Sequence, residues 1–264
     1  MKLSTGPLAG HHVLITRPAG QGDILLEGVR ALGARATHIP LLAITPKTDP
    51  EMVHVAARLK SYYAVLFVSA NAVQASWPAL TAQCAWPLSL PAAAVGPGTA
   101  RVLRDHGVRE VIVPETSFDS EGLMALPFFS RSHVAGQSFA LIRGEGGRDF
   151  MTQTLRERGA LVDAVTSYQR RLNPDALPAL QRLFDQSPPT LIVISSTESL
   201  ERLMAVISID LSTHLRQIPM VVPHARIADA VRALGFEGVT VTSGGDQGIL
   251  DFLKTYNETS KTID

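Results

Sequence analysis

The sequence predicts an α/β fold built twice over: two similar domains with parallel sheets flanked by helices, joined by a two-stranded linker. Three observations lead there. Short apolar runs without in-and-out alternation read as strands covered on both faces, the habit of parallel sheets. Each run is followed by a small polar turn and then an amphipathic helix, which is the βα pattern. The whole arrangement then returns at a nearly fixed spacing.

The spacing can be read directly. The stretch HHVLITRPAGQGDILLEGVRALGARATHIPLL, from His11, aligns with SFALIRGEGGRDFMTQTLRERGALVDAVTSYQ, from Ser138. Arg143 minus Arg17 is 126, and Gly159 minus Gly33 is also 126. AVLFVSANAV, from Ala64, and TLIVISSTES, from Thr190, keep that shift, since Ser195 minus Ser69 is 126. The third block, AAVGPGTARVLRDHGVREVIV against MVVPHARIADAVRALGFEGVTV, needs a two-residue insertion, because Gly235 minus Gly107 is 128.

Taken in order, the apolar run 13–15 is a strand, and Leu25, Val29 and Leu32 then recur at i, i+4, i+7 on one helix face that Gly33 closes. Residues 65–68, 139–142 and 191–194 are further buried strands. Leu200, Leu203 and Met204 share a face of a helix starting at Ser195, with Glu198 placed to complete a capping box. Residues 45–50 (TPKTDP) and 173–178 (NPDALP) interrupt both periodicities and are the expected linkers. Cutting there gives a discontinuous domain, 1–44 with 172–264, around an inserted domain, 45–171 including the linkers. Two connections imply a hinge with a cleft beside it.

Composition narrows the function. With 45% hydrophobic and 18% charged residues, 264 residues suffice for two modest cores. Lys+Arg and Asp+Glu are both 24, which argues against a broad basic surface for nucleic acid or an anionic membrane. The single cysteine, Cys84, excludes an internal disulfide and a thiolate metal cluster, reads as a small buried apolar residue, and fits a reducing compartment. Near the N-terminus Lys2 precedes only the short run 13–15 and then Arg17, so neither a signal peptide nor a membrane span is expected. A cytoplasmic protein follows, in which the sequon Asn257-Glu258-Thr259 is without meaning and residues 255–264 form a frayed tail.

In open parallel sheets ligands collect at the carboxyl ends of the strands, where free N–H groups point outward. The turns there are small and polar: Thr16-Arg17-Pro18, Ser69-Ala70-Asn71, Gly96-Pro97-Gly98-Thr99, Arg143 through Gly144 to Arg148, and Ser195-Ser196-Thr197. They suit carboxylates or phosphates. Taken singly, Ser69 and Ser195 are equally well helix caps. No GKS or GKT loop, HExxH, CxxC or GxSxG motif is present, and Gly96-Pro97-Gly98 has Arg101 where a dinucleotide fingerprint needs its third glycine. His11 and His12 point to opposite strand faces and make a poor metal pair; with His38, His54 and His106 they read as surface or boundary residues. Tyr168, in TSYQRR, is either an interdomain packing residue or a phenol placed to donate a proton.

The ordered series VLITRP, VLFVSANAV, AAVGPGTARVL, SEGL at Ser120, LIRGEGGR, LRERGALV, SYQRR and LIVISSTESL resembles the uroporphyrinogen-III synthases over essentially residues 13–253. The resemblance implies a cytoplasmic, monomeric enzyme of two α/β domains on paired linkers, using no metal or organic cofactor. Its substrate would be hydroxymethylbilane, a linear tetrapyrrole bearing eight carboxylates. Loss of the terminal hydroxyl would give an azafulvene, and attack at the substituted carbon of ring D, through a spiro intermediate, would invert that ring before closure. Tyr168 matches the family's cleft tyrosine, Thr99 the threonine of its VGxxTA motif, and Ser69 and Ser195 its strand-end serines. Asn71, Gly96, Gly144 and Ser196 lie in the same turns, and Arg17, Arg143 and Arg148 are candidate carboxylate contacts. Where the family often has a second glycine-threonine turn, this chain has Val222-Pro223-His224-Ala225-Arg226-Ile227, so Arg226 or backbone N–H groups would substitute. Two rivals stand beside this reading: a non-catalytic two-domain protein closing on a small anion, and a nucleotide-dependent enzyme.

Overall fold

The computed structural model describes residues 6–47 and 49–260, with side chains through Tyr256. The chain opens with β1 (His12–Ile15), α1 (Asp23–Ala31) and β2 (Arg35–His38), then runs through β3 (Leu42–Pro46). There follow α2 (Pro50–Ala57), β4 (Ala64–Phe67), α3 (Ala70–Leu80), β5 (Ala92–Ala94), α4 (Pro97–Asp105) and β6 (Val111–Ile112). Next come α5 (Ser120–Met124), α6 (Arg131–Val134), β7 (Ser138–Gly144), α7 (Phe150–Glu157) and β8 (Leu161–Leu172). The last part comprises α8 (Ala176–Gln186), β9 (Leu191–Val193), α9 (Thr197–Met204), α10 (Ile209–Arg216), β10 (Met220–Val222), α11 (Ala225–Ala233), β11 (Val239–Val241) and α12 (Gly245–Ser260).

Contacts divide the chain into two compact units, Met1–Ala43 with Arg171–Asp264, and Ile44–Arg170. The first holds a sheet of order β11-β10-β9-β1-β2 and the second one of order β3-β8-β7-β4-β5-β6. The repeat explains the likeness. Shifting β1, β2 and β4 by 126 brings them onto β7, β8 and β9, and shifting β5 and β6 by 128 brings them onto β10 and β11. Under that mapping the first sheet becomes β6-β5-β4-β7-β8, the second sheet without its edge strand β3. Each unit is therefore the front of one repeat completed by the back of the other.

The apolar runs are buried on both sides, as strands of a parallel sheet must be. In the second unit Val65 and Phe67 face a core with α2, α3 and α4, while Ala64 and Leu66 face another with Leu123, Phe129 and Leu155. In the first unit Leu14 packs with Leu200 and Val231, and its neighbours Val13 and Ile15 pack with Leu25, Val29 and Ile249. Gly33 follows the α1 cap at φ +91°, and Gly159 ends α7 at φ +90°, the left-handed closure that glycine allows.

Several local expectations are corrected. Regular elements reach into both stretches expected to be linkers: β3 ends at Pro46, Asp49 caps α2 by accepting from Glu51 N–H, and α8 begins at Ala176, while Thr48 lies outside the described residues. The chain passes between units inside β3 and β8, which are neighbours in one sheet. Asp49 Oδ2 also accepts from Thr166 N–H at 3.1 Å, tying the end of one crossing to the other. The helix after β9 is capped by Ser196 rather than Ser195, its hydroxyl accepting from Ser199 N–H, and Glu198 pairs with Arg202. Helix α12 continues to Ser260, so most of the expected tail is helical; the sequon side chains, Lys2 and residues 261–264 lie outside the described set. Cys84 is half-buried rather than buried.

His12 is also not a boundary residue. It is 5% exposed, its Nε2 lies 2.8 Å from Thr37 Oγ1, and Nδ1 lies 3.3 Å from Ser187 Oγ. Burial, with the Arg35 charge adding to it, holds its pKa below the ordinary 6.5. The unfolded chain then takes up the proton first, so this histidine's contribution is whole above about pH 6.5 and is lost as pH falls below it. Melting at about pH 7.5 and about pH 5.5 should show a drop in wild type that shrinks in His12→Gln. Equal drops in the two proteins would assign the acid sensitivity elsewhere.

Candidate active site

A β-bulge decides where Tyr168 points. Along β8, Val165 faces the core beside α3 while Val162 and Ala164 face the opposite core, as alternation requires. Continued alternation would put Tyr168 on the face of Ala164. Instead, the pairing slips between Arg143↔Thr166 and Gly144↔Tyr168, leaving Ser167 as the extra residue. Ser167 and Tyr168 then share the α3 face: Ser167 Oγ reaches Ala72 O at 3.5 Å and Arg143 O at 3.3 Å, and Tyr168 joins the core of Phe67 and Val165.

Tyr168 is 2% exposed, with its hydroxyl 3.0 Å from Ser69 Oγ. The ring lies on Gly144, where a Cβ would stand 2.5 Å from Cζ and 2.8 Å from the hydroxyl oxygen. The Arg170 guanidinium covers the ring 5.5 Å from its centroid. Ser69 sits at the end of β4 in extended backbone, caps α3 by accepting from Ala72 N–H at 3.1 Å, and is half-buried. Thus β4, β7 and β8, adjacent in the sheet, bring together Ser69 just past the end of β4, Gly144 at the end of β7 and Tyr168 beside Gly144 within β8.

The remaining turn residues divide into those already engaged and those not. Arg143 pairs with Asp149, and Arg148 pairs with Glu121 through two hydrogen bonds of 2.7 and 3.1 Å, which hold the Glu121 carboxyl below its usual range. Arg17 pairs with Asp246 in the first turn of α12, its carbonyl lies 2.8 Å from His38 Nε2, and its buried Nε has no hydrogen-bond partner. The Ser196 hydroxyl is spent on capping, and half-buried Asn71 also has an interaction. Gly96 is the extended N-cap of α4, whose first turn carries Thr99.

Of the candidate contact residues, Thr99, Ser195 and Arg226 have side chains that are unengaged among the described residues. The Thr99 residue is 6% exposed, yet its hydroxyl neither bonds to the protein nor is sealed from solvent. Ser195 is released from capping because Ser196 performs it, and its hydroxyl is free. Arg226, in the first turn of α11, is exposed with no ion pair. Ser195, Ser196, Thr197 and Arg226 line one pocket of about 500 Å³ with Glu198 and Glu201, where α9 and α11 both begin. Their first N–H groups and the one guanidinium favour an anion there. A second pocket of about 380 Å³, lined by Phe184, Pro188, Leu211 and Ile218, opens where β9 and β10 begin, the end of a parallel sheet that ligands avoid. No group of three or more His, Cys, Asp or Glu converges among the described residues, nor is any described helix long and apolar enough to cross a membrane.

Sequence reading had no signal for Gly144 as the bed of Tyr168 or for Asp246 as the partner of Arg17. The first needs the bulge, and the second joins residues far apart in the chain.

Fold and turns together define a two-unit, doubly wound α/β protein with small polar turns at its strand ends. The model of the family described as "Uroporphyrinogen-III synthase HemD" matches residues 23–247. The uroporphyrinogen-III synthase of Escherichia coli (strain K12) is 29% identical over 242 residues, spanning 90% of this chain and 97% of that one. That of Salmonella typhimurium is 30% identical over 242 residues with the same two shares. Among solved structures, the uroporphyrinogen-III synthetase of Helicobacter pylori 26695 has a TM-score of 0.59 at 14% identity, over 96% of this chain and 100% of that one, a likeness of fold. The chain belongs to the uroporphyrinogen-III synthase family.

Proposed function

We propose that this enzyme closes hydroxymethylbilane to uroporphyrinogen III by holding the substrate's carboxylates on its strand-end turns while the Tyr168–Ser69 pair supplies the proton that releases water. Its place in tetrapyrrole synthesis as a hydro-lyase follows from the family. The residue roles rest chiefly on what each unit carries at its strand ends: a phenol bonded to a serine and the unengaged Thr99 in the unit Ile44–Arg170, and the unengaged Ser195 and Arg226 in the other. Since the bilane closes spontaneously to the uninverted isomer, the enzyme must favour one substrate conformation over another and assist loss of the hydroxyl. Backbone N–H groups at Gly96, Gly144 and Ser196, with Asn71, extend the carboxylate contacts. Arg17, Arg143 and Arg148 would have to exchange a protein carboxylate for a substrate one, so we assign them weaker contacts than Arg226.

We take the two units, each with its own pair of cores, as the domains 1–44 with 172–264 and 45–171. Zero net charge and the single half-buried Cys84 support a cytoplasmic monomer that does not engage nucleic acid.

Arg226 tests the carboxylate reading. A charge-assisted hydrogen bond contributes about 1.5–3 kcal/mol, so Arg226→Ala should raise KM for type III formation about tenfold or more and leave kcat nearly unchanged. Weaker dependence of KM on salt should accompany it. An unchanged KM would remove Arg226 from the site.

A further inference from the structure

We infer that the proton given to the departing hydroxyl comes from Ser69 Oγ, with the Tyr168 phenol behind it as the residue that positions and recharges the serine. This rests on the reading of that pair as the proton source. The argument is an inventory of hydrogens. A serine oxygen has two acceptor positions and one proton, and a tyrosine hydroxyl has one proton. One acceptor position of Ser69 is taken by Ala72 N–H, at 3.1 Å. The contact to Tyr168, at 3.0 Å, is the phenol's hydrogen bond among the described residues.

Two arrangements are open. If Ser69 donates to Tyr168, the phenolic proton is left without an acceptor in a side chain 2% exposed, and stranding a buried donor is costly. If Tyr168 donates, both acceptor positions of Ser69 are filled and only the serine proton is left over. Ser69 is half-buried, so that proton can turn outward at the strand end. The second arrangement satisfies every buried group. Gly144 and the bulge fix the ring so that it cannot pass Ser69: the hydroxyl oxygen is 2.8 Å from where a Cβ of residue 144 would be.

The step balances. The C–O bond of the terminal hydroxymethyl group breaks and its electron pair leaves with oxygen, which takes the Ser69 proton and departs as water. Ser69 takes the phenolic proton, and electrons from the pyrrole nitrogen satisfy the carbon left behind. After the spiro intermediate opens, the unsubstituted α-carbon of ring D forms the closing bond and loses its proton as the pyrrole is restored, and that proton returns through Ser69 to restore the phenol. Ser69 is then the catalytic residue and Tyr168 a positioning residue.

Single-turnover type III formation in mixtures of light and heavy water tests this with Ser69→Ala, Tyr168→Phe and the double variant. Tyr168→Phe keeps the outward hydroxyl and should lose about tenfold, whereas Ser69→Ala should lose about 10² to 10⁴. The double variant should lose no more than Ser69→Ala, because the phenol acts only through the serine. Rate against deuterium fraction should be bowed in wild type, with two protons moving, and straight in Tyr168→Phe. Ser69→Thr keeps cap and hydroxyl and should restore activity; Ser69→Gly, tolerated as a cap, replaces the alanine variant if that one does not fold. A Tyr168→Phe loss equal to or larger than that of Ser69→Ala would show the phenol reaching substrate directly, overturning the order while sparing the pair. A straight wild-type line would remove Tyr168 from the relay. Losses within about twofold for both would defeat the proton-source reading itself.

Discussion

Gly144→Ala is expected to cut type III formation by about tenfold, the same loss as removing the phenolic hydroxyl, because a displacement of about 1 Å takes a positioned group out of action. The added Cβ would stand 2.5 Å from Tyr168 Cζ, far inside contact distance, and the atom it meets belongs to a ring enclosed by core. The ring must move, and with it the hydrogen bond to Ser69 Oγ. Overpacking of this kind costs about 1–3 kcal/mol, so the variant should fold with a lowered melting temperature. Pairing Gly144→Ala with Tyr168→Leu separates the two effects: melting should recover while activity does not. Wild-type activity in Gly144→Ala would mean that the position of the phenol is immaterial.

Phe67→Ala should show the largest stability effect. Phe67 is fully buried in β4, in the core with Val65, Val73 and Ile142, and its ring centroid is 6.1 Å from that of Trp86. Truncating such a phenylalanine removes burial and leaves a cavity, typically at about 3–5 kcal/mol. The denaturant midpoint should fall accordingly with little change in slope. A cost under about 1 kcal/mol would show that this core collapses around the gap.

What the sequence disclosed follows from which forces are local. Strands β4, β7 and β9 were legible as unalternating apolar runs because a parallel sheet buries both faces, and the repeat made each half of the chain a check on the other. The Gly33 and Gly159 closures were legible because only glycine is at ease at φ near +90°. The Ser69 cap was one of two readings given from sequence, and the same hydroxyl that caps α3 also meets the Tyr168 phenol. The Ser195 cap was misplaced by one residue: two adjacent serines are locally equivalent, and the fold selects Ser196. Proline and aspartate in 45–50 suggested a break, but Asp49 instead caps a helix and braces Thr166, a contact 117 residues away along the chain. Illegible altogether was the engagement of the arginines. Arg17, Arg143 and Arg148 look as available as Arg226 in sequence, and only the fold brings Asp246, Asp149 and Glu121 against them. The burial of His12 was missed for the same reason, since its partners Thr37 and Ser187 come from distant segments.

The central claim is that this chain directs ring closure with inversion. Hydroxymethylbilane generated enzymatically and consumed in the presence of the purified protein, followed by separation of the cyclic isomers, reads that claim without intermediates. The account predicts that type III is the main product and that its share falls toward the spontaneous outcome in Ser69→Ala. Type I product alone, at the uncatalysed rate, would contradict it and leave a two-domain protein that binds small anions without turning them over.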